Sequence, residues 1–578
     1  KIGQLTSVTD PLGTVTKYFY DENENLTRRE NADGSALKFD YDMLNRVTGY
    51  TDGNGNLTQN SYDALGNVIG QVNPDGGEIQ YLYDSLSRVT KQRDPMGYVT
   101  EYAYDAVGNL ISATLPNGET YAYTYNHSGF RTSETDPLGN VTQWEPDRMN
   151  RLVKKTLASG AQYGYAYDVL GRVTGLTGPE GRSLTYAYDD RGNLASETDA
   201  LGRVTAYAYD AMHRVTGITD ANLGVTGMSY DANGNLAELV SPEGNAEKYT
   251  YDALDRIASR LDPAGAMTQY VYDVMGNLTQ ITEPQGRTTT MSYDANGNMT
   301  GITDALGQTT SFQYDSMDRV LKATDARGAS VQYTYDLNGR VTQVLDPLNA
   351  ATQYEYDSMG NVTLVKDAES RATQYAYDAL DRLTSVTDGT GVTTSYGYDS
   401  VGNLVTRTDG EGKTTAYAYD LAGQLVSTTN AKGETTQNTY NEVGNRVGAL
   451  LPSGKSITYD YDALDALVQK SYSTGEADVL YSYSPDGNLV SMRDATGDST
   501  YTYDANGRLV SYTNAFSATV SYAYNENGGI SAITYPDGKT VGYEYDALGR
   551  MVKVTGRDGG ETVYEYDAQG SVTKVARA

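Results

Sequence analysis

A Tyr-Asp pair returns every 21 residues along this chain, and that period decides what it can fold into. From Tyr20 to Tyr461 the position recurs without a slip, and it returns at Tyr483, Tyr503, Tyr524, Tyr545 and Tyr566. The 27 copies so defined are one supersecondary unit written over and over. A 578-residue chain would ordinarily divide into several domains. Here the period predicts one repeat array over residues 1–578, without internal linkers and with 471–578 as its less regular part.

The stretch 398–419, YDSVGNLVTRTDGEGKTTAYAY, shows the unit. Asp399 to Gly402 and Asp409 to Gly412 both read Asp-x-x-Gly. Asp opens such a turn by accepting from backbone N–H groups two residues on, and Gly supplies the positive φ that follows. Other copies sharpen the second turn to NPDG (73–76), LPNG (115–118) or YPDG (535–538), where Pro pre-sets φ. Residues 403–408 and 413–419 are six and seven long and rich in Thr, Tyr, Val and Leu, which predicts strands and leaves no room for a helix. Thr415, Tyr417 and Tyr419 then share one face, with Thr414, Ala416 and Ala418 on the other. The residue two before the Tyr-Asp tyrosine is Tyr in 20 copies and Phe39, Trp144 or Phe312 in three more. An antiparallel meander would stack these rings into two ladders, and Tyr suits such a wall, with an apolar body and a hydroxyl that tolerates water.

A single copy cannot bury its own face, so copies must stand together. Two strands per copy predict an all-β, antiparallel meander of about 54 strands, roughly 260 Å of ribbon at ~4.8 Å per strand. Twisted open sheets much beyond about ten strands curl or close. The expected form is therefore a ribbon wound as a spiral hollow shell or tube. The residues expected to hold it are structural: Tyr62, Asp63, Tyr251, Asp252, Tyr293, Asp294, Asp399, Gly402, Asp409, Gly412, Tyr417, Tyr419, Tyr545 and Asp546.

Composition fits a solvated sheet. Apolar content is 38%, mean hydropathy is −0.55, and 53 of the apolar residues are Tyr, too little aliphatic material for a thick core. A net charge of −31 argues against nucleic acid and against anionic membrane surfaces, because phosphate contacts need clustered Lys and Arg. No apolar run approaches a membrane span, so no membrane insertion is expected. Zero cysteines exclude a disulfide scaffold.

The motifs that resemble chemistry fail on their neighbours. Gly412-Lys413-Thr414, Gly454-Lys455-Ser456 and Gly538-Lys539-Thr540 imitate the end of a phosphate-binding loop. Its leading Gly is replaced by Arg407, Ala449 and Ile533, and strands follow where a helix is required. Asp52-x-Asn54-x-Asn56 and Asp231-x-Asn233-x-Asn235 open like calcium loops but lack the central Gly and closing Glu. His127 and His213 sit in turns with no nucleophile beside them. No enzyme, cofactor or metal site is expected. One copy departs from the pattern: Trp144-Glu-Pro146-Asp147 replaces Tyr-x-Tyr-Asp, and Pro146 predicts a frayed strand. After Lys470 the spacing changes to 22 and then 20, and the copy at 514–517 has lost its turn Gly. The chain opens and stops inside a copy, which reads as a segment of a longer protein.

The copies YDALGN at Tyr62, YDALDR at Tyr251 and YDALGR at Tyr545 resemble the YD or RHS repeat. The resemblance covers essentially the whole chain. That family includes bacterial Rhs toxins, the C component of Tc toxins and the animal teneurins. It implies a β-ribbon wound into a shell that, in the toxins, encloses a C-terminal effector. The Asp-bearing core segment of Rhs toxins does not occur before Ala578, so no catalytic residue carries over. The resemblance implies a non-enzymatic wall of a secreted or cell-surface bacterial protein. Its expected partners are other segments of the same polypeptide, neighbouring shells or cell-surface glycans. The alternatives are a cargo-free tube or fibre and a glycan-binding aromatic solenoid. The single Trp weighs against the latter.

Overall fold

Strand-forming runs of five or six residues separated by five-residue turns leave the backbone one choice, a meander. The computed structural model describes residues 3–567 and 570–577 and contains 55 strands. Each pairs antiparallel with the strands before and after it in sequence. Among the described residues there is no α-helix, only the 3-10 turns Pro179–Gly181 and Pro284–Gly286. In the copy read above the strands are Leu404–Thr408 and Thr414–Tyr419, one residue shorter at each start than the sequence reading. No large side chain is fully buried among the described residues; the buried apolar residues are Ala113, Ala161, Ala449 and Tyr459.

Pairing is unequal on the two sides of each Tyr-bearing strand. Toward the following strand, Ala416, Tyr417 and Ala418 oppose Thr429, Thr428 and Ser427. The register then skips Val426, so that Tyr419 opposes Leu425. Toward the preceding strand only Thr414, Thr415 and Ala416 pair, with Thr408, Arg407 and Thr406. One bulge per copy adds twist on one side, and a short ladder splays on the other. Repeated 27 times, that asymmetry bends the ribbon.

Irregular copies are absorbed. Val141–Pro146 does not fray: Gln143, Trp144, Glu145 and Pro146 oppose Thr156, Lys155, Lys154 and Leu152 as in other copies. Pro146 falls at the strand's last position, beyond the register shift, where a missing donor is tolerated. Ser517 takes the positive φ, 60°, of the absent Gly. The longer copy after Lys470 keeps Gln469 and Lys470 paired with Leu480 and Val479.

In a meander all Tyr-Asp turns lie on one rim of the ribbon and all second turns on the other. The two rims meet across coils. The turn at Asp52 meets the turn at Asp294, 23 strands later, and the turn at Asp199 meets that at Asp462, 25 strands later. A turn settles between two of the next coil, so a coil takes about 24 strands. At ~4.8 Å per strand that is about 115 Å of circumference, or about 37 Å across from backbone to backbone. The fold is a spiral of one open sheet, each coil seamed to the next.

Candidate functional site

The repeating Tyr-Asp turn and the seam it builds are where this chain concentrates its specific chemistry. Within the turn the Asp carboxylate has two jobs. Asp63 Oδ1 accepts from the N–H groups of Leu65 and Asn67, both at 2.9 Å, while Oδ2 accepts from Asn67 Nδ2 at 2.8 Å. Asp399 does the same with Val401 and Asn403, and Asp252 and Asp546 use Arg256 and Arg550 in place of Asn. Asp409, in a second turn, accepts from the N–H groups of Glu411 and Lys413. Gly402 and Gly412 take φ of +96° and +77°. Hydrogen bonds from the side chains of Arg46, Asn67 and Arg88 hold the carboxyls of Asp42, Asp63 and Asp84 below the usual range.

The Tyr-Asp tyrosines are tied in by their hydroxyls. In 25 of the 27 copies the Tyr-Asp hydroxyl donates to a backbone carbonyl 14–16 residues back, at 2.6–3.1 Å. Tyr62, Tyr251, Tyr293 and Tyr545 reach Val47, Leu236, Leu278 and Ile530. That carbonyl begins the preceding strand, where the short ladder has opened, so the hydroxyl satisfies a group the sheet leaves unpaired. Burial pushes the Tyr251 and Tyr293 hydroxyls up, with the charges of Asp231 and Asp273 adding.

The rings do not stack into ladders as expected. Among the described residues two aromatic pairs lie close, Tyr81 with Tyr83 and Tyr501 with Tyr512. Arginine takes that place. Arg382 shows the arrangement: Nε donates to Asp378 Oδ2 at 2.7 Å and Nη1 to the Asp399 carbonyl of the next copy at 2.9 Å. Its guanidinium lies 4.9 Å from the Tyr398 ring centre. Arg46, Arg88, Arg151, Arg319, Arg340 and Arg550 repeat all three contacts. The residue at this fifth turn position is Asn or Arg in 22 of 27 copies, the signal that could have disclosed the clamp. Asn closes the turn and then reaches the next copy too, as Asn361 does to Asp381 Oδ1 at 2.7 Å.

At the seam the third turn residue is the connector. Asn296 Nδ2 donates to Asp52 Oδ2 at 2.8 Å, its Oδ1 accepts from the Asn54 N–H, and Asn54 Nδ2 donates to Asp294 Oδ2. Asn338 binds Asp94, and Asn506 binds Asp262 and the Ala264 N–H, in the same way. Asp294, partly desolvated here, still sits below the usual carboxyl range, because donors including Asn298 and Asn54 outweigh burial. Arg319 with Asp75 and Arg203 with Asp465 pair charges across the seam. At Gly53 an added Cβ would lie 2.4 Å from the Ala295 carbonyl oxygen, so the rims touch backbone to backbone. Asp52 and Asn54, which imitated a calcium loop, are thus seam residues, and Asn233 and Asn235 donate to Asp255. His213 Nδ1 lies 2.7 Å from Asn193 Oδ1 in a turn. None of these arrangements aligns a nucleophile with a base.

Two family models match the chain. One described as Teneurin YD-shell covers residues 246–398 and 471–575. One described as RHS Repeat covers overlapping windows from residue 1 to 183, then 188–225 and 398–435. No curated protein matches in sequence. The crystal structure of TcdB2-TccC3 is similar over 97% of this chain and 37% of that one, with a TM-score of 0.58 and 16% identity. The Photorhabdus luminescens Tc holotoxin pore carrying TccC3-D651A is similar over 97% and 38%, with a TM-score of 0.55 and 14% identity. At such identities the likeness is one of fold, and the chain spans under two fifths of those solved chains. Together the two models match most of the chain, which belongs to the YD/RHS-repeat family as a stretch of YD shell.

Proposed function

We propose that this chain is the non-enzymatic wall of a spiral shell that encloses or presents other parts of a larger bacterial surface or secreted protein of toxin type. One observation carries the reading: a single 55-strand sheet wound in coils whose facing rims are joined by specific hydrogen bonds and ion pairs. A binding solenoid has no use for a sealed seam, whereas a wall does. The clamps spend many of the turns' polar side chains on one another. The lumen, about 37 Å between opposite backbones, has room for enclosed chain.

Solution X-ray scattering tests this. A hollow wall of 62.6 kDa gives a secondary minimum and a pair-distance distribution skewed toward the wall-to-wall distance. A profile that a solid globule of that mass fits would overturn the reading. For a longer polypeptide containing this stretch, any enclosed segment should resist protease until the shell is unfolded.

A further inference from the structure

One arginine of the seam lacks every partner that its equivalents keep. Second turns end on Arg at the fifth position in four copies, at Arg182, Arg203, Arg287 and Arg371. Arg203, Arg287 and Arg371 each donate to the carboxylate that opens their own turn, that of Asp199, Glu283 and Asp367. Arg203 also pairs across the seam with Asp465, the fourth residue of the facing Tyr-Asp turn. Arg182 stands one copy before Arg203 and faces the turn one copy before that one, at Asn441. Both acids are glycine there: Gly178 opens the turn of Arg182, and Gly444 is fourth in the facing turn. The guanidinium lies so near Gly444 that an added Cβ would stand 2.8 Å from Nη2. Among the described residues Arg182 has no carboxylate partner, and its buried Nε has no hydrogen-bond partner at all. A buried guanidinium N–H without an acceptor is costly.

The same copies build an apolar wall beside it. Tyr163 and Leu184 stand where the copy 398–419 carries Thr415, and the register sets Leu176 against Leu184 on the tyrosine face. These half-buried side chains, with Val443 of the facing turn and Arg182 itself, line a cleft of about 380 Å³. Small-ligand sites hold about 300–1,000 Å³ and set a few polar groups in apolar walls. The other charged groups at the cleft are Asp199 and Arg203, bonded to each other, and Glu442, which is exposed and forms no ion pair. Both sides of the cleft, residues 163–203 and 442–443, are supplied by two coils of this chain.

We propose that this cleft binds a small organic carboxylate with an apolar body. The carboxylate takes the fork of Arg182, where the seam elsewhere supplies an Asp, and the body lies against Tyr163, Leu176 and Leu184. A planar guanidinium meets a carboxylate through two parallel hydrogen bonds, which favours the acid over a neutral molecule of the same shape. The apolar wall favours it over an anion that has no body to bury. The site is independent of what the wall encloses.

Calorimetric titration of the whole chain with 3-phenylpropionate tests it, in about 0.15 M salt, where the net charge of −31 is screened beyond about 8 Å. The expected dissociation constant is about 1 mM or lower. 3-Phenylpropanol keeps the body without the charge, and acetate keeps the charge without the body. Each should bind at least about tenfold more weakly. Arg182→Gln should weaken binding by the same factor and leave far-ultraviolet circular dichroism unchanged. Gly178→Asp is the sharper variant, because it restores the acid that Arg203 has in Asp199. Gly178 has a φ of −132°, and an added Cβ would meet Arg182 and Tyr163 at 3.5 and 3.6 Å, ordinary contact distances. That variant should melt at a higher temperature than wild type and lose binding at least about tenfold. No heat from wild type up to about 10 mM 3-phenylpropionate overturns the proposal. So does binding of 3-phenylpropanol as tight as that of the acid, or a Gly178→Asp variant that binds like wild type, since Arg182 would then not be the anchor.

Discussion

Arg382 makes the argument at the scale of a residue. Its fork meets a carboxylate, a carbonyl of the next copy and a ring at once. Lysine has the charge but not the fork, so Arg382→Lys should lose most of what Arg382→Ala loses, about 2–3 kcal/mol in urea unfolding. A lysine variant as stable as wild type would show that charge alone suffices. Gly402 is a second case: φ is +96° and nothing lies within 4 Å of an added Cβ, so only backbone strain opposes a side chain. Gly402→Val should cost about 1–2 kcal/mol, and Gly402→Asn less, because Asn tolerates positive φ. Asn45 already holds +60° in the same turn position. Equal melting shifts for Gly402→Val and Val401→Ala would contradict this. The titrating groups set the pH range. Asp42, Asp63 and Asp84 have lowered folded values, so their contribution is present above the unfolded value of about 3.9 and fades as pH falls below it. Tyr251 and Tyr293 have raised values, so theirs holds below about pH 10 and is lost as pH climbs through the folded value. Melting temperature should be flat from about pH 5 to pH 9 and fall on both sides.

Strands and turns were the legible part of the sequence. Thr, Tyr, Val and Leu between Asp-x-x-Gly turns gave both strands of the 398–419 copy to within one residue. What they pair with was legible too, since a meander has only neighbours. The ring ladders were not found, because alternation fixes a face but not which side chain fills it. Arg382 lies sixteen residues before the Tyr398 ring it covers, beyond any local pattern. Pro146 was read as a disruption because the bulge that accommodates it cannot be seen without the register. A strand in this array is held from both sides, so position along the array should matter. Tyr293→Ala, which removes a hydroxyl bond to Leu278 and a partly buried ring, should cost about 2–3 kcal/mol. Tyr566→Ala removes the matching bond to Met551 next to the last strand and should cost less. Hydrogen exchange resolved by strand would reveal uniform protection along the chain if that expectation is wrong.

The coil belongs to the whole molecule, and its size was written nowhere in the 21-residue period. Winding follows from sheet length, but about 24 strands per coil comes from the bend per copy, set by one bulge and one short ladder. At two strands per copy that is about twelve copies per coil. A turn must fit between two turns of the next coil, so residues about 240–262 apart are neighbours while residues 21 apart are equivalents. Drift among the copies is then the record of which turn faces which: Asn at the third position of the turns at Asp294, Asp336 and Asp504 lies where a second-turn Asp faces it. Asn296→Leu should therefore leave the strands paired but open the seam locally. Amide exchange should quicken together at residues 52–56 and 294–298, with little change at 230–235, where the equivalent Asn233 faces its own neighbour Asp255. If the two seam segments respond separately, or if the change follows the 21-residue period instead, the coils are not seamed by these turns and the spiral closes by some other contact.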